Sequence, residues 1–137
     1  MAFEKSKIGD GRIVQWNASS GVDDPEFVEL HRQVQETFER DSRIDGALID
    51  WSDAAPFKVS STAVRHAAAI APRNAKSSAK HYRVAIVAPQ DLVFGLARME
   101  EALASGTTWV IQVFRERTSA LAWLEAQQHF DSQAGPE

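Results

Sequence analysis

Residues 44–51 read IDGALIDW, and the run Ala47–Ile49 inside them is apolar without interruption. Apolar side chains at successive positions are typical of a strand that is covered on both faces. A second run of this kind occupies residues 82–88 (YRVAIVA), and residues 109–114 form the last predicted strand. We therefore expect the interior of one sheet to contain residues 47–50, 84–87 and 110–113.

Helical patterns lie between these strands. The first predicted helix, residues 24–40, follows Asp23 and carries one apolar stripe at Phe27, Leu30, Val34 and Phe38. Further helices are predicted at residues 63–71, at residues 91–105 and from a cap at Thr118 onward. In the third helix we expect a cap at Asp91, close backbone packing at Gly95 and a residue following the helix end at Gly106.

The first predicted element is a hairpin of residues 3–7 and 12–17, joined by a turn that contains two glycines. The resulting order is β-β-α-β-α-β-α-β-α, and such alternation argues for parallel strands joined by right-handed crossovers. The predicted fold class is α/β, with one domain at residues 1–130 and a disordered tail at residues 131–137. A short turn and loop are expected at residues 74–80.

The composition is that of one ordinary globular domain, with 137 residues of which 44% are hydrophobic and 25% charged. Cysteine is absent, which excludes disulfides, thiol nucleophiles and cysteine-based metal sites. The opening residues, MAFEKSKIGDGR, are too polar for a secretory signal. No apolar run approaches the roughly 20 residues that span a bilayer. We therefore expect a cytoplasmic protein without a membrane span.

Charge is distributed unevenly along the chain. Residues 1–53 carry twelve acids and six bases, and residues 91–137 carry seven acids and three bases. Residues 54–90 carry six bases and no acid. The net charge of −4 argues against nucleic-acid binding. The basic segment fits two interpretations: a docking surface for an acidic partner or phosphorylated ligand, or ordinary pairing with the acids of the first segment.

Two parts of the chain resemble a known family. Leu48–Ser52 (LIDWS) and Phe57–Thr62 (FKVSST) resemble a pattern of STAS domains, in which a strand ends in Asp-Leu-Ser and Asp-Ser-Ser-Gly opens a helix after an aromatic residue. Residues 83–99 and 113–124 are similar to a set of bacterial STAS-like proteins. The chain therefore resembles the SpoIIAA-like, anti-sigma-factor-antagonist branch of the STAS family.

This resemblance implies a mixed sheet with helices mainly on one face, and non-enzymatic work through protein contacts or small-ligand binding. It also implies that Ser60 stands where phospho-switching relatives carry their phosphate acceptor. Val59 replaces the Asp of those relatives and Thr62 replaces their Gly. Both replacements remove the usual surroundings for kinase docking and phosphate, which argues against a phosphorylation switch.

Ser60, Ser61 and Thr62 with Arg65 form the sharpest candidate site. N–H groups at a helix start, hydroxyls and a guanidinium can together bind a small anion. Capping of the helix by one hydroxyl explains the same residues without a ligand, and we prefer that interpretation. Three further residues are candidates for contacts with a protein, the last of them in a homodimer: Trp51, Lys58 and Trp123.

Other chemistry finds little support in the sequence. The four histidines share no metal-ligand spacing, no glycine-rich nucleotide motif occurs, and no cofactor is predicted. A triad of Ser60, His66 and Asp50 lacks a nucleophile elbow and places two members on different helix faces. We therefore expect a non-catalytic regulatory or protein-interaction module that forms a homodimer. Binding of a small anionic or lipid-like ligand near residues 52–62 is the alternative, and an unrecognised enzyme is the least favoured.

Overall fold

The computed structural model describes residues 3–73 and 80–134, with residues 127–134 described by their backbone alone. The elements in these residues are β1 (Phe3–Ile8), β2 (Ile13–Ala18), β3 (Val22–Asp23), α1 (Asp24–Arg40), β4 (Gly46–Asp50), β5 (Phe57–Lys58), α2 (Ser61–Ala68), β6 (Tyr82–Val87), α3 (Asp91–Leu103), β7 (Trp109–Phe114) and α4 (Arg117–Ala134). The predicted order is confirmed, with β3 and β5 as additions. The turn predicted at residues 74–80 lies, apart from Lys80, outside the described residues.

The main sheet has five strands in the order β1-β2-β4-β6-β7. β1 pairs antiparallel with β2, and the other neighbouring strands run parallel. The turn between β1 and β2 uses Gly9 and Gly11 at φ values of 63° and 89°, where a side chain would be strained. A hairpin followed by parallel β-α units confirms the predicted α/β class.

Helices cover the two faces of this sheet unequally. α1, α2 and α3 pack over the larger core, which contains Trp16 and Ile49, whereas α4 packs over a smaller core that contains Leu48 and Leu124. Leu48 and Ile49 belong to different cores because successive side chains of a strand point to opposite faces. The expectation of helices mainly on one face is confirmed.

The predicted sheet interior is confirmed for two strands and corrected for the third. Ala47–Ile49 and Val84–Val87 are buried and Asp50, the last residue of the first run, is half-buried, but Val110 is 44% exposed and Gln112 is exposed as well. The reason is that β7 is an edge strand and a single helix covers the α4 side. Five strands about 4.8 Å apart make a face roughly 20 Å wide, whereas one helix covers about 10 Å of it. Helix α4 therefore leaves this edge uncovered.

The expectations for helix α3 have different outcomes. Gly106 adopts a φ of 86°, but α3 ends at Leu103 with Ala104 as its cap, so the glycine lies two residues after the cap rather than directly after it as predicted. Asp91 does not cap the helix, because it is the first helical residue and its carboxylate accepts a 2.6 Å bond from Arg115. The close packing predicted at Gly95 is wrong, since a Cβ there would meet no atom within 4 Å.

Helix α4 differs from its prediction at both ends. It begins at Arg117, so Thr118 lies inside the helix rather than at its cap. It extends to Ala134, beyond the predicted domain end at residue 130. The first part of the predicted tail is therefore helical, and residues 135–137 lie outside the described part of the chain.

Candidate interaction site

The short pair of strands β3 and β5 brings the starts of α1 and α2 together. Val22 pairs with Phe57 in parallel register, and the Val22 N–H donates to the Pro56 carbonyl at 3.0 Å. Gly21 permits this approach, because a Cβ at that position would lie 2.9 Å from Pro56 Cδ and 3.1 Å from its carbonyl oxygen. The two chain segments that enter the helices therefore run side by side.

Two neighbouring aspartates at the start of α1 have separate tasks. Asp23 caps α1 in a capping box with Glu26. Asp24 instead faces the start of α2, where its two oxygens accept bonds from the Ser60 N–H and the Ser60 hydroxyl, each at 2.7 Å. The Ser60 oxygen in turn accepts the Ala63 N–H at 3.2 Å, which confirms Ser60 as the cap of α2. One carboxylate of α1 thus closes the start of α2.

These bonds favour the charged form of Asp24. Its carboxylate is stabilised first by the Ser60 hydroxyl and then by the Ser60 N–H, and together they lower the pKa of Asp24 below its ordinary value of 3.8. A depressed carboxyl pKa means that the contact stabilises the fold above that ordinary value and is lost as the pH falls through the folded pKa. At neutral pH the start of α2 therefore has an anion supplied by the chain itself.

The other predicted anion ligands surround this closed start. Ser61, Thr62 and Arg65 are exposed. The hydroxyls of Ser61 and Thr62 form no hydrogen bond with another described residue. The side chains of Lys58 and Arg65 likewise form no hydrogen bond or ion pair with one. The structure therefore brings Ser60–Arg65 together on one surface, but it commits the Ser60 donors to Asp24.

The structure gives the contacts of four bases in the basic segment, residues 54–90. Lys58 and Arg65 do not pair with the acids of residues 1–53 within the described part of the chain. Arg73 donates to the Ser105 carbonyl at 3.1 Å, and Lys80 donates to the Ser42 carbonyl at 3.0 Å. Simple neutralisation by the first segment does not account for these four bases.

The two candidate tryptophans lie in different environments. Trp51 is only 1% exposed and stacks on Phe27 with ring centroids 5.4 Å apart. Burial removes it from any contact surface, so the interaction role predicted for Trp51 is corrected to a core role. Trp123 is half-buried on α4 and lies against Phe114, with centroids 5.8 Å apart.

Asp50, the aspartate of the LIDWS sequence at the end of β4, accepts hydrogen bonds from two nearby residues. One of its oxygens accepts the Ser52 N–H at 2.9 Å and the Ser52 hydroxyl at 2.5 Å. The other accepts from Arg117 Nη1 at 3.2 Å. Because Asp50 is engaged here and Ser60 is engaged by Asp24, the two do not form a catalytic pair.

Helices α1 and α3 share a buried pair that the sequence patterns did not predict. His31 Nε2 lies 2.7 Å from a carboxylate oxygen of Glu100, and His31 Nδ1 lies 2.8 Å from the Phe27 carbonyl, so Nδ1 carries a proton. The two side chains are 0% and 1% exposed. Helical spacing contains a signal for both, since His31 follows Phe27 by four residues and Glu100 follows Ala97 by three, on the buried faces of their helices.

Burial acts strongly on the His31 imidazole. Desolvation lowers the pKa of His31, but the charge of Glu100, its hydrogen bond and the bond to the Phe27 carbonyl outweigh burial and raise the pKa above 6.5. Contact with Glu100 therefore favours the protonated form of the His31 imidazole. It lies in the core and reaches no surface that a substrate could use.

Within residues 3–73 and 80–134, no three His, Cys, Asp or Glu side chains gather as metal ligands would. Among the helices of those ranges, none combines the length and the apolar character needed to cross a bilayer.

A substitution at Ser60 tests the closed start of α2. We expect Ser60→Ala to lower the free energy of unfolding by about 0.5–2 kcal/mol, because the helix loses its cap. Ser61→Ala is the matched control, since this exposed hydroxyl makes no described bond, and we expect a change within about 0.5 kcal/mol. Urea unfolding of the two variants measures both values. Equal stability of the two variants would contradict the capping geometry.

Comparisons with known proteins bear on the fold. No family model matches the chain, and no curated protein matches it. A solved structure of an uncharacterised DUF3478-family protein from Shewanella loihica PV-4, described as having a SpoIIAA-like fold, is similar over 90% of this chain and 92% of that one. Its sequence identity is 18% and its TM-score 0.53. The hairpin, the parallel β-α units and this likeness together establish that the chain has a SpoIIAA-like fold.

Proposed function

We propose that this chain is a non-catalytic STAS-like interaction module that binds a protein partner through the start of α2. The contact surface, called the α2 surface below, consists of Lys58, Ser61, Thr62 and Arg65. The observation that supports it is that these four exposed side chains have no described partner within the fold. Side chains that the fold does not use are free to contact a partner without a cost in stability.

The charge of the α2 surface indicates an acidic partner. Lys58 and Arg65 supply two positive charges, and the neighbouring carboxylate of Asp24 is already held by Ser60. Complementary charge accelerates association and disfavours wrong partners. Ser61 and Thr62 add hydroxyls that can donate to or accept from a peptide backbone. An acidic segment of a second protein fits this combination.

Binding of a small anion near residues 52–62 is the second candidate, and the geometry favours it less. A phosphate that used the Ser60 N–H and hydroxyl would have to displace the Asp24 carboxylate from two bonds of 2.7 Å. The same contact weakens a phosphorylation switch, because a phosphate on Ser60 would face the Asp24 charge. A protein contact beside the closed helix start avoids both conflicts. We place this module in the cytoplasm.

Charge reversal tests the acidic partner. The tagged chain, a Lys58→Glu/Arg65→Glu variant and an Arg98→Glu control are used to capture proteins from lysate of the cells that make this chain. Arg98 is an exposed residue of α3 that pairs with Glu101. The control therefore reverses a charge outside the α2 surface. We expect one stoichiometric protein on wild type and control, reduced at least about tenfold on the double variant. Equal recovery of the captured protein on wild type, control and double variant would contradict the proposal. Absence of any stoichiometric protein would contradict it as well.

A homodimer belongs to the same proposal, with changed support. The sheet face opposite α1, α2 and α3 does not offer an open apolar surface for a second copy, because α4 lies on it and Gln112 beside that helix is polar. What supports a dimer now is the half-buried Trp123 and the 44% exposed Val110 on the α4 side. We expect light scattering to give twice the 15.2 kDa chain mass at micromolar concentrations. The single-chain mass throughout that range would contradict the dimer.

A further inference from the structure

A cleft lies between the carboxyl end of α2 and the connection from α3 to β7. Its volume is about 260 Å³, and Arg65 and Arg73 both line it. This cleft is separate from the cap at Ser60, because it lies at the opposite end of α2. Arg65, which the sequence assigned to the helix start, also reaches this second location.

The charge lining this cleft is of one sign. Its two arginines are accompanied by no acidic residue. Three larger cavities in the described part of the chain, of about 470, 540 and 620 Å³, each include at least one carboxylate, such as Glu36, Glu101 and Asp45. A cavity lined by two arginines and no acid is suited to an anion rather than to a cation or a neutral ligand.

Arg73 is held in place by the surrounding backbone. It bridges to Thr107, and the Thr108 N–H donates to the Pro72 carbonyl at 2.9 Å. Its Nη1 donates to the Ser105 carbonyl at 3.1 Å and lies 3.3 Å from where a Cβ of Gly106 would stand. A guanidinium has five N–H donors, so this one bond orients the group and leaves others for a ligand.

The remaining lining of the cleft is apolar except for Thr107, whose hydroxyl donates to the Ala104 carbonyl at 2.6 Å. Ala68 and Ala71 are 5% and 3% exposed, and Pro72 closes the same side. Leu103, at the end of α3, is 38% exposed and faces the cleft. A ligand in this cleft would contact apolar side chains and two arginine residues. A volume of 260 Å³ is just under the usual range of small-molecule sites, which limits the ligand to a small one.

We propose that the cleft between Arg65, Arg73 and Leu103 binds a small carboxylate with a short apolar body. The carboxylate would take a paired hydrogen bond from Arg73 and charge from Arg65, while the apolar body would lie on Ala71 and Leu103. This site shares Arg65 with the α2 surface, but it also depends on Arg73, which lies outside that surface.

Amide chemical-shift titrations of the full chain test this site, with hexanoate as the probe. Hexanol tests the apolar body without the charge, and inorganic phosphate tests charge without the apolar body. We expect hexanoate to shift amides at residues 65–73 and 103–107, and to bind at least about tenfold more tightly than either comparison ligand. Arg73→Gln should weaken hexanoate binding by about tenfold.

Two further variants keep the test decisive. Arg65→Gln should also weaken binding, and it provides a second reading if Arg73→Gln fails to fold. Lys58→Gln, on the α2 surface but outside the cleft, should bind hexanoate as wild type does. Absence of clustered shifts, equal binding of hexanol, or unchanged binding by both arginine variants would overturn the proposal. Arg73→Gln separates this proposal from the protein partner, because Arg73 lies outside the α2 surface and is unchanged in the charge-reversal variant.

Discussion

Replacement of Glu100 by alanine should lower the free energy of unfolding by about 3–5 kcal/mol, the range for removing one partner of a buried ion pair. The physical reason is that His31 Nε2 would lose a 2.7 Å partner in a core where it is 0% exposed. The imidazole must then either keep an unpaired charge or give up its proton. Chemical denaturation at neutral pH measures the loss.

The double variant His31→Leu/Glu100→Met replaces both partners of the pair by apolar residues, so that neither is left unpaired in the core. Buried ion pairs replaced together by apolar residues of similar size often cost little. We therefore expect the double variant to be more stable than Glu100→Ala. A Glu100→Ala protein within about 1 kcal/mol of wild type would contradict the pairing.

The same pair makes stability depend on pH in a definite direction. Because the pKa of His31 is raised above 6.5 in the fold, the protonated pair contributes fully below that value. Its contribution is lost as the pH rises from there through the folded pKa. Wild type should therefore lose stability relative to the double variant over that window, and a gain would contradict the assigned protonation.

Trp51→Ala should have a comparably large effect, a loss of about 3–5 kcal/mol, as for other large-to-small changes of buried aromatic residues. Trp51 is 1% exposed and its ring contacts Phe3, Phe27 and Phe57. The matched control is Trp123→Ala, whose ring is half-buried against Phe114, and we expect a loss of about 1 kcal/mol. Urea unfolding compares the two. Equal losses would contradict the assignment of Trp51 to the core.

The main architecture follows from local patterns in the sequence. The runs at Ala47–Ile49 and Val84–Val87 are apolar at every position, so a strand with two covered faces is the simplest structure for them. Val110 belongs to a similar run, but burial at the sheet edge depends on how far α4 extends, which no local pattern states. The expectation of close packing at Gly95 fails for a related reason. A glycine in a helix shows that a side chain is missing, but it does not show whether another element packs against that position.

The contacts of the candidate site depend on distant parts of the chain. Asp24 and Ser60 are separated by 36 positions, and they meet because the two-residue strands β3 and β5 pair. Strands of that length leave no alternating pattern to recognise. His31 and Glu100 are 69 positions apart, and only their places on buried helix faces point to them. The capping role of Ser60, by contrast, follows from residues within one turn and was predicted correctly.

The start of α2 determines which function the chain can perform there. With Asp24 bound to Ser60, the N–H and the hydroxyl of the cap residue are already used, and the exposed residues beside it remain for a partner. If Asp24 lay elsewhere, the same N–H and hydroxyl would be available to a phosphate, and the small-anion alternative would gain support. The position of one carboxylate thus separates the two proposals.

Side-chain NMR titration of the Asp24 carboxyl carbon tests this position most directly. The bonds from the Ser60 hydroxyl and N–H predict a pKa below 3.8 in wild type. The pKa should rise toward 3.8 in Ser60→Ala, because the hydroxyl contributes the larger part of the shift. A wild-type pKa at or above 3.8 would show that Asp24 does not close the start of α2, and it would contradict the account.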